Sequence, residues 1–356
     1  MDPGFRRDDN LSVPVHHPMR DLKASGGEPR PAATMRAAPV VRAIAFAVFA
    51  AFALALPWLL QVLGFDYYLS LASRIVVYAI AATSLNLVLG YGGMVSFGHA
   101  AFVGIGAYVT GIMISEGVQS GSAHLLATLA ISALAALMIG AISLRTRGVY
   151  FIMITLAFAQ MLYYLANSVK GYGGDEGLNI RARSLFTFAG WVLDLKNPFE
   201  FYYVALAVLA AALAALARFV PSRFGRAVLA LRDDDVRAEA LGFPTYRYKL
   251  VVFVAAGALG GVAGALSVNL QGYVSPNVLH WTQSGTLMVM VILGGVATVW
   301  GGLVGAAVLL LLQEVLAAYT EHGEFWTGWV LLAVVLFARQ GLVGLVAARK
   351  RKEPRR

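Results

Sequence analysis

The sequence contains no cysteine, and charged residues make up only 13% of its 356 positions. The missing cysteine excludes disulfides, thiol chemistry and cysteine metal sites. The six histidines also lack the i, i+4 spacing of a metal-binding pair within a helix. A soluble domain carries roughly a quarter charged residues, whereas 59% of this chain is hydrophobic. The composition therefore predicts an all-α, polytopic integral membrane protein.

The sequence also lacks the groups with which a transporter captures energy. No Gly-x-x-x-x-Gly-Lys-Ser/Thr motif occurs, and no lysine follows a glycine, which excludes a P-loop for ATP. Ion-coupled secondary transporters usually hold carboxylates at mid-membrane, but Glu314 alone lies within a predicted span. Ion coupling is therefore disfavoured. An intramembrane enzyme is disfavoured too, because no helix carries a His/Asp/Glu cluster or a Ser/His pair.

Apolar runs of the length that crosses about 30 Å of hydrocarbon follow one another closely. We predict ten spans, near residues 41–63, 69–89, 94–114, 124–144, 149–168, 201–219, 250–270, 284–299, 301–319 and 326–347. Gly92 and Gly93, and likewise Gly301 and Gly302, leave almost no connecting loop. Broken or re-entrant helices at these two places, with eight full spans, are therefore the alternative.

Positive charge predicts the orientation of the chain. With ten spans, the basic residues near 36–42, 145–147, 222–249 and 349–356 all fall on one side, which the positive-inside rule assigns to the cytoplasm together with both termini. This distribution also accounts for the net charge of +9 without nucleic-acid binding. The predicted domains are a disordered cytoplasmic leader (1–39), a permease domain (40–348) and a basic tail (349–356). Alternatively, translation begins at Met35. The permease domain carries a cytoplasmic loop at 221–249 and a periplasmic loop at 169–200.

Residues 222–249 form a densely charged island in this apolar chain. Five apolar residues recur there at helical spacing, namely Phe224, Val228, Leu231, Ala238 and Leu241, which predicts an amphipathic helix. Gly242 and Pro244 are a helix stop signal. Two interpretations remain open from the pattern: a solvated helix lying on the protein's own membrane spans, or a docking helix for a cytoplasmic partner.

Polar residues and glycines interrupt the second and third spans at membrane depth. Irregular backbone is tolerated there only where it is buried in protein or lines a wet cavity, and free N–H groups at a broken helix start suit a substrate carboxylate. We therefore predict a translocation path formed by Asn86, Tyr91, Gly92, Gly93, Ser96 and His99. A lone histidine such as His99 is nevertheless more often a satisfied core residue.

Several segments, in order and at matching spacing, resemble the membrane permease subunits of branched-chain amino acid ABC importers, in particular the longer of the two permease types. They include SLNLVLGYGGMVSFGHAAFVGIGAY (84–108), RGVYFIMITLAFAQM (147–161), GRAVLALRDDDVRAEALGF (225–243) and LMVMVILGGVATVWGGLVGAA (287–307). The resemblance implies a multi-pass subunit of the bacterial inner membrane, working with a second homologous permease, two cytoplasmic ATPases and a periplasmic binding protein. It implies no cofactor in this chain, because the partner subunits bind ATP. Related permeases carry urea or short amides, which is the alternative substrate class.

The resemblance also identifies the 225–243 segment with the coupling helix of the family. Glu239, Ala240 and Gly242 stand where its Glu-Ala-Ala…Gly signature would fall, although Leu241 replaces the second alanine. The implied roles are packing into an ATPase groove for Phe224, Val228 and Leu231, and fixing the register for Arg232, Asp233, Asp234 and Asp235.

Overall fold

The computed structural model describes residues 51, 53–62, 64, 66–180, 182–188, 191–320, 322–337 and 341–344. The predicted leader (1–39), the alternative start at Met35 and the basic tail (349–356) lie outside these residues. Most of the first predicted span and part of the tenth lie outside them too.

Helices make up most of the described structure, and only short strands accompany them. The helices are α1 (Ala53–Val62), α2 (Asp66–Asn86), α3 (His99–Ser115), α4 (Gly121–Ser143), α5 (Val149–Ser168), α6 (Pro198–Phe219), α7 (Arg223–Asp233), α8 (Asp235–Ala240), α9 (Thr245–Gln271), α10 (Trp281–Gly294), α11 (Gly301–Tyr319) and α12 (Gly323–Phe337). The strands are β1 (Leu178–Asn179), β2 (Leu185–Phe188), β3 (Trp191–Asp194) and β4 (Tyr273–Val274). A π-helical turn, Leu87–Tyr91, extends α2.

Within the part of the chain that the structure describes, six helices are long and apolar enough to cross a membrane: α2 with its π turn, α4, α5, α6, α9 and α11. This confirms the prediction of an all-α polytopic membrane protein. Two spans are shorter than predicted. The helix expected over 94–114 begins only at His99, and the helix expected over 284–299 ends at Gly294. In both places glycine-rich backbone interrupts the helix, and the count of ten spans stays a prediction.

Side-chain contacts define two opposite ends of the bundle. At the first, which we call the charged end, the α4–α5 turn lies beside α8 and the start of α9. There Arg147 Nη2 donates to Glu239 Oε2 at 3.1 Å, and the Tyr246 hydroxyl donates to the carbonyl of Ala141 at 3.0 Å. Two of the predicted cytoplasmic clusters therefore share one end, in agreement with the charge distribution.

The opposite end, which we call the strand end, joins the 169–200 loop to the connection that follows α9. Strand β1 pairs antiparallel with β4, with Leu178 opposite Val274, and β2 pairs with β3 in a hairpin. His124 Nδ1 and Ser184 Oγ are 2.7 Å apart and tie the same loop to the start of α4. Helix α9 therefore runs from the charged end to the strand end.

Glycines allow the central helices to cross in backbone contact. A Cβ at Gly106 of α3 would overlap the Gly261 carbonyl of α9, and a Cβ at Gly264 would overlap the Val103 carbonyl of α3. The α10–α11 pair repeats this arrangement, with Gly305 against the Met290 carbonyl. Small residues are the usual means of helix association in lipid. These glycines therefore serve to pack the helices closely against one another.

Candidate functional site

The charged segment predicted as one helix is two helices with a break at Asp234. Ser222 caps α7 by accepting a hydrogen bond from the Gly225 N–H at 3.0 Å. Asp234 is extended (φ −157°) and caps α8 by accepting from the Arg237 N–H at 3.0 Å. The predicted stop is confirmed, since α8 ends at Ala240 and Gly242 has a φ of +85°.

The apolar stripe of α7 packs on the chain itself. Val228 and Leu231 are 2% and 3% exposed, and the Phe224 ring stacks on Tyr248 of α9 with centroids 4.8 Å apart. The first two side chains are therefore unavailable to a partner. This corrects the expectation that Val228 and Leu231 pack into an ATPase groove, and the contact with Tyr248 already uses one face of Phe224.

The surface left for a partner lies mainly on α8 and the turn after it. Arg232, Asp233, Glu239 and Ala240 are exposed. Three apolar side chains stand beside them: Val236 (68% exposed), Leu241 (72%) and Phe243 (39%). We call Val236, Leu241 and Phe243 together with Glu239 the α8 surface. The sequence pattern assigned Leu241 to the buried stripe and omitted Val236 and Phe243, because a periodic stripe cannot continue through the break at Asp234.

Ion pairs join α8 to the α4–α5 turn and to α9. Arg147 bonds Glu239, and Lys249 of α9 bonds Asp235. A groove of about 390 Å³ lies between α8 and the α4–α5 turn, with Gly93 at its wall. Gly93 (φ +67°) also packs against the side chain of Arg232. Helix α7 is thus in direct contact with the backbone that follows the π turn of α2.

Asn86 works as a clamp on the α10–α11 connection. Its Oδ1 accepts from the Ala297 N–H at 3.0 Å, and its Nδ2 donates to the Thr298 carbonyl at 2.7 Å. Among the described residues, Ala297 is the one non-glycine residue with positive φ, at 58°. Both polar atoms of the Asn86 side chain therefore hold a stretch of strained backbone in place.

Other predicted path residues are also buried in protein. His99 is fully buried, with Nε2 2.7 Å from Ser84 Oγ. Because Ser84 gives its proton to the Ala81 carbonyl, His99 donates from Nε2. Ser96 is buried and accepts from the Gly98 N–H at 3.3 Å.

The start of α3 is not an open anion site as the sequence suggested. The Ala100 N–H donates to Ser284 Oγ at 2.9 Å, and the Ala101 N–H donates to the Gly98 carbonyl. Tyr91 is 3% exposed, and a Cβ at Gly92 would contact the Val88 carbonyl. Of the six predicted path residues, Gly93 alone lines a described cavity, the groove at the charged end.

A separate cavity of about 150 Å³ lies between α2, α3, α9 and α10, toward the strand end. The apolar residues of its lining are Val77, Ala81, Ala100, Val103, Ala263, Val278 and Leu287, and the polar ones are Tyr78, Ser267, Gln271, Asn277 and Gln283. We call it the central cavity. None of its lining residues is charged. The sequence did not predict it, because it is assembled from two pairs of helices, α2–α3 and α9–α10, that are distant from each other along the chain.

We expect Asn86→Ala to destabilise the folded protein. The substitution leaves the half-buried Ala297 N–H and Thr298 carbonyl without their partner, and a group left unsatisfied in the interior costs about 1–3 kcal/mol. The measurement is the midpoint of thermal unfolding of the purified protein. Ala297→Gly is the opposite control, because glycine relieves the positive φ and should not lower the midpoint. An unchanged midpoint for Asn86→Ala would refute the clamp.

Known proteins resemble this chain over most of its length. A family model described as the permease component of the branched-chain amino acid transport system matches residues 67–339. The high-affinity branched-chain amino acid transport system permease protein LivM of Salmonella typhimurium is 28% identical over 294 residues, covering 77% of this chain and 69% of that protein. LivM of Escherichia coli K12 gives the same figures. The corresponding LivH protein of Escherichia coli K12 is 26% identical over 284 residues, covering 75% of this chain and 91% of that protein.

Proposed function

The chain belongs to the family of permease components of branched-chain amino acid transport systems, and from this membership we propose that it forms half of the pore of an ATP-driven importer. It is a transport subunit and not an enzyme. Its partners are a second, homologous permease, two cytoplasmic ATPases and a periplasmic binding protein. The transported solutes are branched-chain or related amino acids, and the complex lies in the bacterial inner membrane.

One observation carries this proposal: the α8 surface combines exposed apolar and charged side chains on a chain that has no P-loop of its own. Exposed apolar patches rimmed by charge are typical of protein–protein contacts. Arg232 at the end of α7, just before α8, packs against Gly93, which follows the π turn of α2. A movement imposed on α7 and α8 would therefore reach α2 directly. We therefore assign the α8 surface as the ATPase contact and the charged end as the cytoplasmic side.

The proposed orientation follows from the helix directions. Helix α9 leaves the charged end and reaches β4 at the strand end, whereas α4 runs from His124 at the strand end to Ala141 at the charged end. With the charged end in the cytoplasm, the 169–200 loop and β4 face the periplasm. There they form the surface that meets the binding protein. Ten spans with both termini inside fit this arrangement.

Reconstitution tests the proposal. The chain is co-expressed with the second permease and the ATPases encoded beside it, purified through a tag on this chain, and placed in liposomes with the binding protein. We expect the ATPase to co-purify and leucine uptake to require ATP. A transporter with an ATPase variant that cannot hydrolyse ATP is the control. Uptake driven by an ion gradient without ATP would overturn the proposal, and uptake of urea in preference to leucine would favour the alternative substrate class.

A further inference from the structure

Helix α2 carries a basic side chain in an apolar span. Across the six described membrane-length helices, Arg74 is the Lys or Arg that stands more than five residues from a helix end. Such a residue is costly in a membrane, and it usually faces a cavity or a pathway and marks a functional site. Arg74 is exposed, and its guanidinium carbon lies 5.8 Å from the centre of the Tyr78 ring, within cation–π distance.

Arg74 lies about one turn of α2 from the residues that line the central cavity, on the same face of the helix. Arg74, Val77, Tyr78 and Ala81 recur at i, i+3, i+4 and i+7 and therefore share one face of the helix. The last three line the cavity. Helix α2 runs toward Gly93 at the charged end. Arg74 precedes Tyr78 by four residues, so its Cα lies about 6 Å nearer the strand end. The guanidinium thus stands at the side that we propose to be periplasmic.

The cavity below Arg74 has the chemistry of a site for a neutral, partly apolar solute. Its lining offers alanine, valine and leucine side chains together with amides and hydroxyls that both donate and accept hydrogen bonds. Burying an unpaired charge is expensive, and no acidic side chain lines this cavity to receive a cationic solute. The Arg74 guanidinium, beside the lining residue Tyr78, matches the planar geometry of a carboxylate.

We propose that Arg74 binds the α-carboxylate of the transported amino acid while the central cavity receives its apolar side chain. This inference rests on the proposed function and deepens it, because it assigns specificity to named residues of the permease. Gln271, Asn277 and Gln283 provide acceptors for the α-ammonium group. The arrangement selects neutral amino acids with a free carboxylate over urea and short amides, which have none.

The test compares Arg74→Gln and Arg74→Lys in the reconstituted transporter, with leucine as the solute. Losing a charge-assisted bond to the carboxylate should lower the rate of leucine uptake about 10- to 100-fold in Arg74→Gln. Arg74→Lys keeps the charge but loses the planar guanidinium, so its rate of leucine uptake should lie between those of the wild type and Arg74→Gln. Arg218→Gln removes a charge from an exposed position in the last turn of α6 and should leave uptake at the wild-type rate.

A second variant tests the cavity independently of Arg74. Val103 is half-buried in the apolar wall, and Val103→Phe fills space there. Uptake of leucine should fall more than uptake of alanine, which needs less room. This variant decides the proposal if Arg74→Gln does not yield folded protein. A purely structural defect would lower the uptake of leucine and of alanine by the same factor.

The outcomes separate this inference from the proposed function. If the wild-type complex shows no ATP-dependent amino acid uptake, the proposed function fails. If the wild type is active and Arg74→Gln takes up leucine at the same rate, Arg74 only extends to the lipid headgroups and the inference is overturned. Equal losses of leucine and alanine in Val103→Phe would also overturn it.

Discussion

Gly242→Pro is expected to abolish solute uptake while the protein still inserts in the membrane. Gly242 has a φ of +85°, and no atom lies within 4 Å of the place where a Cβ would stand. The restriction is therefore one of backbone conformation, since proline fixes φ near −65°. Proline also removes the Gly242 N–H, which donates to the Glu239 carbonyl at 2.9 Å. The turn that joins α8 to α9 cannot form, and the α8 surface is displaced.

Uptake by the reconstituted complex and the yield of membrane-inserted protein are the two measurements. Gly242→Asn is the matched control, because asparagine tolerates positive φ better than other side chains and the site has room for it. It should keep most of the uptake. Full activity in Gly242→Pro would show that the orientation of α8 does not matter for transport.

Glu239→Lys should likewise stop uptake with little effect on stability. Glu239 bonds Arg147 at 3.1 Å, but their side chains are 60% and 64% exposed, and such pairs contribute at most about 1 kcal/mol. The charge-swapped double variant Arg147→Glu/Glu239→Lys separates two roles. If the swap restores uptake, Glu239 acts through Arg147. If uptake stays lost, Glu239 acts on the partner protein, as the proposed ATPase contact requires.

The sequence predicted the membrane fold and the end of the charged segment well, because both depend on local composition. Gly242 and Pro244 stop a helix in any context. The sequence could not tell what covers Val228 and Leu231, since an amphipathic stripe identifies an apolar face but not the surface packed against it. The break at Asp234 went unpredicted for a related reason: the two halves pack separately on α9, and this is a tertiary preference.

For the polar residues inside the spans, too, the sequence could not tell which groups they contact. Asn86 was interpreted as part of a path because an amide at membrane depth needs a reason. The reason lies 211 residues away, at Ala297, and no local pattern reports it. Arg74, by contrast, was accessible to sequence reasoning, because a lone arginine in an apolar span is visible without a structure. The cavity that gives it meaning required the packing of α2 on α9 and α10.

Gly264→Ala should cause a large loss of stability for a single methyl addition. A Cβ at Gly264 would overlap the Val103 carbonyl, and the neighbouring Ala107 N lies 2.9 Å away. Both contacts are backbone, so no side chain can rotate aside. Helices α3 and α9 would have to separate, which also opens the crossing at Gly106 and Gly261. Overpacking typically costs about 1–3 kcal/mol, and we expect the upper end of this range.

Gly285→Ala is the matched control, and we expect it to raise the midpoint of thermal unfolding instead of lowering it. Gly285 lies in α10, and no atom stands within 4 Å of its added Cβ. The same chemical change there gains helix propensity, worth about 1 kcal/mol for alanine over glycine. Thermal unfolding of both purified variants measures the difference directly. A lower midpoint for Gly264→Ala beside an unchanged or higher one for Gly285→Ala locates the limit in the α3–α9 crossing, whereas equal shifts would mean that the two helices can move apart freely.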